Sequence, residues 1–455
     1  MIRLIPLFSF LLIFFVVKVT NLGIRLSDTN IYFNIAYQII HGKILYKDFF
    51  FSNFPLFGYI SSFYYFITGG NINLFYLTST IEVIIVTFII YVTTYHSTKS
   101  NFISTLSSLL YIFSFIVLST SDHQTGVFTA SLFAVLGFLL FQRNKFFISG
   151  VFIALALLTK AYFISIPLSF FTILLVNKNW KKLFQFGIGF SIALAIILIP
   201  SLIIAPKQFF HDIFGFSLIR PAGISKIEVG WFFITKDFAL FVLLIFNLLN
   251  FKKNKFFAAI SFWGLAFFFY YQDIYYLYLN FIIPFLCLSL YEFFEFSKNK
   301  FGIQKLVIPT IVFIFLTFNL YTYISSYKNL QKVNDVNKIL AVIKKEKPEF
   351  LYGVNDITPA LLILTRTSPL DNIRDAHEYF FTKGLYDKEV LTNDAISSKT
   401  IVIAHGANYP EANVKQDILD GIFNKEKIYQ ACKVLLSVPV QAEGIANRIN
   451  FFKCY

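Results

Sequence analysis

Asp28 stands first among the residues whose types could do chemistry. It opens Ser27 to Leu56, SDTNIYFNIAYQIIHGKILYKDFFFSNFPL, a polar, acid-led stretch between one apolar run and many later ones. Lys47 and Asp48 share that stretch. Asp122 and His123 form a short polar turn, Lys160 interrupts apolar sequence, Arg220 precedes Pro221, and Tyr278 lies in a late apolar run. A carboxylate can take a proton from an attacking hydroxyl, and lysine or arginine can hold an anion as it develops. Each residue also has a plainer reading. Asp28 can be a helix N-cap, Asp48 a solvated loop acid, and Asp122 with His123 the polar turn of a hairpin. Lys160 can be a lysine snorkelling to an interface, Arg220 a residue that positions its loop, and Tyr278 a packing residue.

The elements that must position these residues are membrane spans. Of 455 residues, 57% are hydrophobic and only 14% charged, a composition that excludes a soluble domain of this length. Eleven apolar runs approach the length needed to cross about 30 Å of hydrocarbon. They are Leu4 to Thr20, Ile72 to Tyr95, Phe102 to Thr120, Thr125 to Phe141, Phe146 to Thr159, Ala161 to Val176, Leu183 to Ile204, Trp231 to Leu249, Phe256 to Tyr271, Ile274 to Phe296 and Ile303 to Tyr323. The first lacks a small-residue cleavage site and reads as a retained helix.

Lysine and arginine orient the chain. With the N-terminus cytoplasmic, 13 of them fall in very short inner segments, from Arg3 through Lys99, Arg143 and Lys182 to Lys305. The longer outer loops carry fewer, among them Lys18, Arg25, Lys43, Lys47, Lys160, Lys207, Arg220, Lys226 and Lys236, as the positive-inside rule requires. Pro55 to Thr68 would invert every later loop if it crossed, so it is expected to lie outside as an interfacial or re-entrant helix within a first outer loop, 21–71. Asp28, Asp122 and Lys160 then share the outer side. After Tyr327, 17 basic residues stand against 15 acidic, so +12 of the net +14 belongs to the membrane part. The charge is therefore a topology signal and an attraction to anionic lipid, with no basic patch of interleaved aromatics to suggest nucleic acid.

Residues 327–455 change character, and alternating short runs predict a small extracytoplasmic α/β domain following a transmembrane module over 1–326. Strands are expected at Phe350 to Val354, Thr400 to Ala404, Lys433 to Val440 and Asn450 to Cys454. Helices are expected at Val336 to Lys345, Pro359 to Thr365, His377 to Lys383 and Val414 to Phe423. If the last two strands form a hairpin turning at Glu443 and Gly444, Cys432 and Cys454 face each other; a disulfide and two free thiols both remain open. No catalytic constellation is legible in this segment.

With that topology, the first outer loop resembles that of the GT-C membrane glycosyltransferases, which include the protein O-mannosyltransferases and the aminoarabinose transferases of lipid A. The matching residues are Asp28 after the first span, Tyr32, Ala36, Gly42, Tyr46, Asp48 and the Pro55-Leu56 helix start. Later matches are Asp122, Gly150 with the Ala-Leu-Ala-Leu-Leu-Thr-Lys run ending at Lys160, and Tyr278 six residues before Pro284. The resemblance implies an α-helical polytopic protein of the cytoplasmic membrane, of GT-C type with about eleven spans. It also implies an inverting transfer of sugar from a polyprenyl-phosphate donor to an extracytoplasmic acceptor: an envelope glycan, a lipid or a protein. Asp28 would be the base. Lys160, then Lys47 and Arg220, would face the lipid phosphate, while Asp48, Asp122, His123 and Tyr278 would line the substrate site. Two departures stand out: Glu82 lies where relatives often carry arginine, and Asp28 lacks the DxD or Asp-Glu pairing of several relatives.

No cofactor follows from the sequence. The six histidines are scattered without ligand spacing, and no phosphate-binding glycine motif occurs, so ATP and NAD have no warrant. A divalent cation bridging Asp28 and Asp122 is the one metal arrangement left open. The rival class is a secondary transporter or lipid flippase, but those tend to carry paired repeats and mid-membrane charges. Here neither repeat symmetry nor paired intramembrane charges occur, apart from Glu82, a residue that is costly in lipid and equally open to a hydrogen-bonded structural role in the bundle.

Overall fold

The computed structural model describes residues 5–216, 223–301, 307–328, 332–373, 376–377, 380–381, 383–406, 421–440 and 448–455. Most of the chain before residue 328 is helical, because backbone groups in hydrocarbon must pair within their own segment. The helices that build the site are α1 (Ile5–Val19), α2 (Thr29–Ile40), α3 (Pro55–Ile67), α4 (Ile72–Thr98), α5 (Asn101–Ile112), α6 (Phe115–Thr120), α7 (Val127–Gln142), α8 (Phe146–Thr159), α9 (Ser165–Val176) and α10 (Trp180–Ile204). Among the described residues, Ile72–Thr98, Trp180–Ile204 and Pro309–Ser326 are each long and apolar enough to cross a membrane alone. The pair Lys226–Lys236 and Phe238–Leu249 qualifies only as a single broken span, and six further apolar helices are shorter. Helix α4 is mostly buried in the bundle whereas α10 presents Phe184, Ile196 and Ile203 outward, as a lipid-facing helix does.

Two of the expected continuous spans are broken, and one carboxylate explains both. The run from Phe102 to Thr120 divides at Phe113 and Ser114 into α5 and α6, and the run from Trp231 to Leu249 bends by 107° at Asp237. Asp237 is fully buried at that bend and accepts the backbone N–H groups of Phe115 (2.8 Å) and Ile116 (3.0 Å) and the Ser114 hydroxyl (3.0 Å). These are orphan donors at the start of α6, so an acid from another helix satisfies what the break exposes. Proline at the first position starts α3 where the sequence placed it.

The C-terminal part holds a five-stranded sheet of order β2-β1-β3-β5-β4: β1 (Phe350–Gly353), β2 (Ser368–Pro369), β3 (Thr400–Gly406), β4 (Lys433–Pro439) and β5 (Arg448–Lys453). β1 runs parallel to β2 and β3, while β5 is antiparallel to both β3 and β4. The four expected strands appear; β2 was not anticipated because two residues are too few to show a period. Lys433 pairs with Lys453, which brings the flanking Cys432 and Cys454 together as a disulfide. Helices Val336–Glu346 and Thr358–Thr365 match expectation, Lys388–Ser397 and Lys425–Ala431 were unforeseen, and most of Val414 to Phe423 lies outside the described residues, as does part of His377 to Lys383. The sheet's apolar core takes in Leu26 and Phe216 from the helical part.

Close approach of α8 and α10 has a specific cause. A Cβ on Gly150 would stand 2.1 Å from the Phe186 carbonyl oxygen, and one on Gly189 would stand 2.0 Å from that of Phe147, so the two backbones touch. Gly187, one position from the seam, has open space around it. Gly150→Leu is expected to cost about 2 kcal/mol or more by overpacking and to lower the thermal midpoint in detergent, whereas Gly187→Leu leaves it in place; equal midpoints would contradict this packing.

Candidate active site

A cavity of about 1150 Å³ lies where the helical part meets the sheet, and residues from both line it. Asp28 is on its wall. The residue occupies the N-cap position of α2, yet its backbone is αR and its side chain makes no capping hydrogen bond. Its carbonyl accepts Ile31 N–H at 3.0 Å and Tyr32 N–H at 3.2 Å, and the residue is exposed. The start of α2 is docked onto the sheet: Ser27 N–H donates to the Asp356 carbonyl at 3.0 Å, the Asn30 amide donates to the same oxygen, and the Asn34 amide donates to the Pro359 carbonyl at 3.0 Å.

Lys160 also reaches the cavity. Helix α8 ends there in an extended residue before a 3-10 turn, Ala161–Ile164, and the side chain is buried. Its Nζ donates to Asn53 Oδ1 at 2.8 Å and to the Tyr32 hydroxyl at 3.1 Å, and lies 4.7 Å from the centres of the Tyr32 and Phe57 rings. The side chain is thereby held at a fixed place on the cavity wall. The Asn53 loop is itself fixed, since Tyr46 OH donates to the Asn53 carbonyl at 2.6 Å and Phe51 N–H donates to Asp212 at 3.0 Å.

Behind this wall sits Asp122. Its oxygens lie 3.0 Å from Arg25 Nη2 and 3.5 Å from Lys18 Nζ, all three groups being buried. Burial alone would raise the carboxyl, but the cations of Lys18 and Arg25 hold it well below the usual carboxylate range. His123 follows on the cavity wall, 3.0 Å from the Ser27 hydroxyl through Nδ1. Burial lowers its pKa, Asp122 partly restores it, and Arg25 and Lys18 lower it again, to about 4, so the ring is neutral at physiological pH. Glu82, from α4, accepts hydrogen bonds from Tyr64 (2.6 Å), Gln124 (3.3 Å) and Thr129, and so ties this turn to α3, α4 and α7. The hydrogen-bonded structural reading of Glu82 is the one its surroundings support.

The sequence-derived candidates therefore divide. Asp28, His123, Lys160 and Tyr278 share the cavity; Tyr278 stacks on Tyr162 at 4.4 Å within an aromatic wall that includes Tyr271 and Tyr275. Asp122 lies behind the wall and orients Arg25. Lys47 and Asp48 are exposed and are not among the lining residues, and Asp48 accepts Ile44 N–H at 2.7 Å as part of its own loop. Arg220 lies outside the described residues. No cluster of three or more His, Cys, Asp or Glu side chains able to hold a metal occurs among the described residues, and Asp122, half of the conceivable cation bridge to Asp28, already faces two side-chain cations. Sequence reasoning missed Asp356 and His405, which line the cavity from the sheet. Their only signal was position just after, and near the end of, two β-like runs.

An apolar helical bundle whose loops close a polar cavity beneath a small sheet is the architecture of the GT-C membrane glycosyltransferases, and this chain has that fold. Residues 55–230 match the model of Glycosyltransferase family 87. ArnT of Cupriavidus metallidurans bound to undecaprenyl phosphate superposes with a TM-score of 0.65 at 12% identity, covering 98% of this chain and 97% of that one. Its apo state gives 0.65 at 11% identity over 98% of each chain. The Archaeoglobus fulgidus oligosaccharyltransferase, in complex with zinc and sulfate, gives 0.54 at 14% identity over 87% of this chain and 67% of its own. No curated protein matches the chain in sequence.

The Asp122 cluster sets a stability prediction. Because the carboxyl is lower in the folded protein than in the unfolded chain, its contribution is complete above the usual carboxylate range and is lost only as pH falls through the depressed value. The thermal midpoint should therefore not decline on account of Asp122 between roughly pH 8 and 5. Asp122→Asn removes the carboxylate that two buried cations face and should cost about 3 to 5 kcal/mol, with part of the loss recovered in Asp122→Asn combined with Arg25→Gln; thermal unfolding of the three proteins in one detergent decides it.

Proposed function

We propose that this chain is a glycosyltransferase of the cytoplasmic membrane that moves a sugar from a polyprenyl-phosphate donor to a hydroxyl of an extracytoplasmic acceptor. One observation carries the reading: an uncapped, exposed carboxylate, Asp28, and a buried lysine, Lys160, open on one cavity with an aromatic wall. The family 87 match over 55–230 and the undecaprenyl phosphate bound to the ArnT relative support the substrate class. The topology belongs to the same proposal: about eleven spans over 1–326, a cytoplasmic N-terminus, and residues 327–455 as an outer α/β domain over the cavity.

In the proposed step the acceptor hydroxyl oxygen attacks the anomeric carbon from the face opposite the phosphate, and its proton passes to the Asp28 carboxylate. The new glycosidic bond forms as the bond from carbon to phosphate oxygen breaks, and the electron pair leaves with the lipid phosphate. A single displacement inverts the anomeric carbon. Lys160 stabilises the leaving phosphate because its ammonium is already fixed before charge develops. The neutral His123 and the tyrosines Tyr32 and Tyr278 supply hydrogen bonds and ring faces to the sugar.

General-base help of this kind is worth roughly 10² to 10⁴ in rate. Asp28→Asn at matched expression should lower transfer from a panel of radiolabelled undecaprenyl-phosphate sugars to envelope acceptors by at least about 10²-fold, while binding of undecaprenyl phosphate persists. Wild-type transfer rates in Asp28→Asn would remove Asp28 as base; substrate-dependent flux across vesicles with no transfer by the wild type would replace the transferase with a transporter.

A further inference from the structure

The sheet presents its own chemistry to the cavity, and it does so at a defined place. β1 pairs in parallel with β2 on one side and β3 on the other, and β3 is flanked on its far side by the antiparallel strands β5 and β4. Open α/β sheets bind ligands outside the carboxyl ends of their parallel strands. Val354, Asn355 and Asp356 follow β1 directly, His405 is the penultimate residue of β3, and all four line the cavity. Gly353 makes the exit from β1 possible. Its φ is +150°, and a Cβ there would stand 1.9 Å from the Ile403 carbonyl oxygen.

Asp356 Oδ2 lies 2.8 Å from His405 Nε2, and the two side chains are 23% and 19% exposed, reachable from the cavity without standing in bulk solvent. Each keeps a second polar atom, Asp356 Oδ1 and His405 Nδ1, that is buried and has no hydrogen-bond partner among the described residues. Burial lowers the imidazole pKa, but the charge of Asp356 and its hydrogen bond outweigh burial and raise it above the usual histidine value. Asp356 Oδ1 is an acceptor, and His405 Nδ1 donates or accepts according to the ring's protonation. Hydroxyl groups, which both donate and accept, can satisfy each atom in either state of the ring; a phosphate would meet a repelling carboxylate.

We propose that Asp356 and His405 form a hydroxyl-recognising subsite for carbohydrate at the sheet side of the cavity, engaged by a small rotation of the two side chains when the ligand enters. It rests on the transferase reading and assigns a part to the sheet within it. The bound hydroxyl belongs either to the transferred sugar or to a glycan acceptor, and the subsite selects among carbohydrates while Asp28 and Lys160 do the transfer. Asp356 also ties this subsite to the base, because its carbonyl receives the Ser27 N–H and the Asn30 amide at the start of α2.

The test uses the full chain in nanodiscs with undecaprenyl-phosphate mannose, glucose and galactose as donors and octyl glycosides as acceptors. Three proteins are compared, wild type, His405→Phe and His405→Gln, with undecaprenyl phosphate binding and the thermal midpoint as checks on folding. His405→Phe should raise the KM for one carbohydrate substrate at least tenfold with a much smaller change in kcat, with undecaprenyl phosphate bound as before. His405→Gln, which keeps a donor and an acceptor, should recover part of that loss. A rise confined to the lipid-linked sugar assigns the hydroxyl to the donor; a rise confined to the octyl glycoside assigns it to the acceptor. Transfer by wild type with both variants within twofold in every KM overturns the subsite and leaves the transferase reading standing. Octyl glycoside binding that depends on His405, in a wild type that transfers nothing, keeps the subsite and sinks the transferase; neither transfer nor binding sinks both.

Discussion

The cavity depends on one buried charge cluster. Asp122, held between Lys18 and Arg25, joins the end of α1, the segment leading into α2 and the turn between α6 and α7 at a single point. Removing three charges from water is costly, and their mutual proximity offsets much of that cost, so this contact tolerates few alternative geometries. Arg25 lies three residues before Asp28, and His123 directly follows Asp122. The same contact that joins the helices therefore also sets where a candidate base and a neutral imidazole face the cavity. Lys18 and Arg25 add hydrogen bonds that extend the join: Lys18 Nζ donates to the Tyr323 hydroxyl at 2.8 Å, and Arg25 Nη2 donates to the Lys328 carbonyl at 3.1 Å.

A second carboxylate does comparable work one layer deeper. Asp237 accepts the amides exposed where α5 gives way to α6, and α6 leads straight into the Asp122 turn. A continuous helix would carry that turn elsewhere. Glu82 completes the arrangement from the side through Gln124, whose Oε1 accepts the Gly126 N–H at 3.1 Å. Three buried acids, none of them placed in the transfer step, thus determine the path of the backbone around the site.

Much of this was legible in the sequence, and the limits have physical reasons. Long apolar runs announce helices in lipid irrespective of their neighbours, so α4, α8 and α10 fall where expected, and the short apolar runs of β3 and β5 mark buried strands. Asp28, His123 and Lys160 could be expected at one cavity because the distribution of lysines and arginines predicts a shared side of the membrane for them. What local pattern does not carry is pairing across distance. The breaks at Ser114 and Asp237 look apolar enough to be continuous, since the hydrogen bonds that reward breaking lie more than a hundred residues apart. Asp356 and His405 are separated by 49 positions and meet only because two strands run parallel.

The docking of α2 onto the sheet has a consequence for how such a molecule can be taken apart. The carbonyls of Asp356 and Pro359 receive Ser27, Asn30 and Asn34, and Leu26 and Phe216 are packed into the sheet's own apolar core. Cutting the chain between the bundle and the sheet would strand buried donors at the foot of the helix that carries Asp28. Modular exchange, in which one such protein lends its sheet to another, must therefore carry the α2 entry segment along as part of the same cassette. The seam of this protein runs through its first loop, three hundred residues upstream of where composition changes.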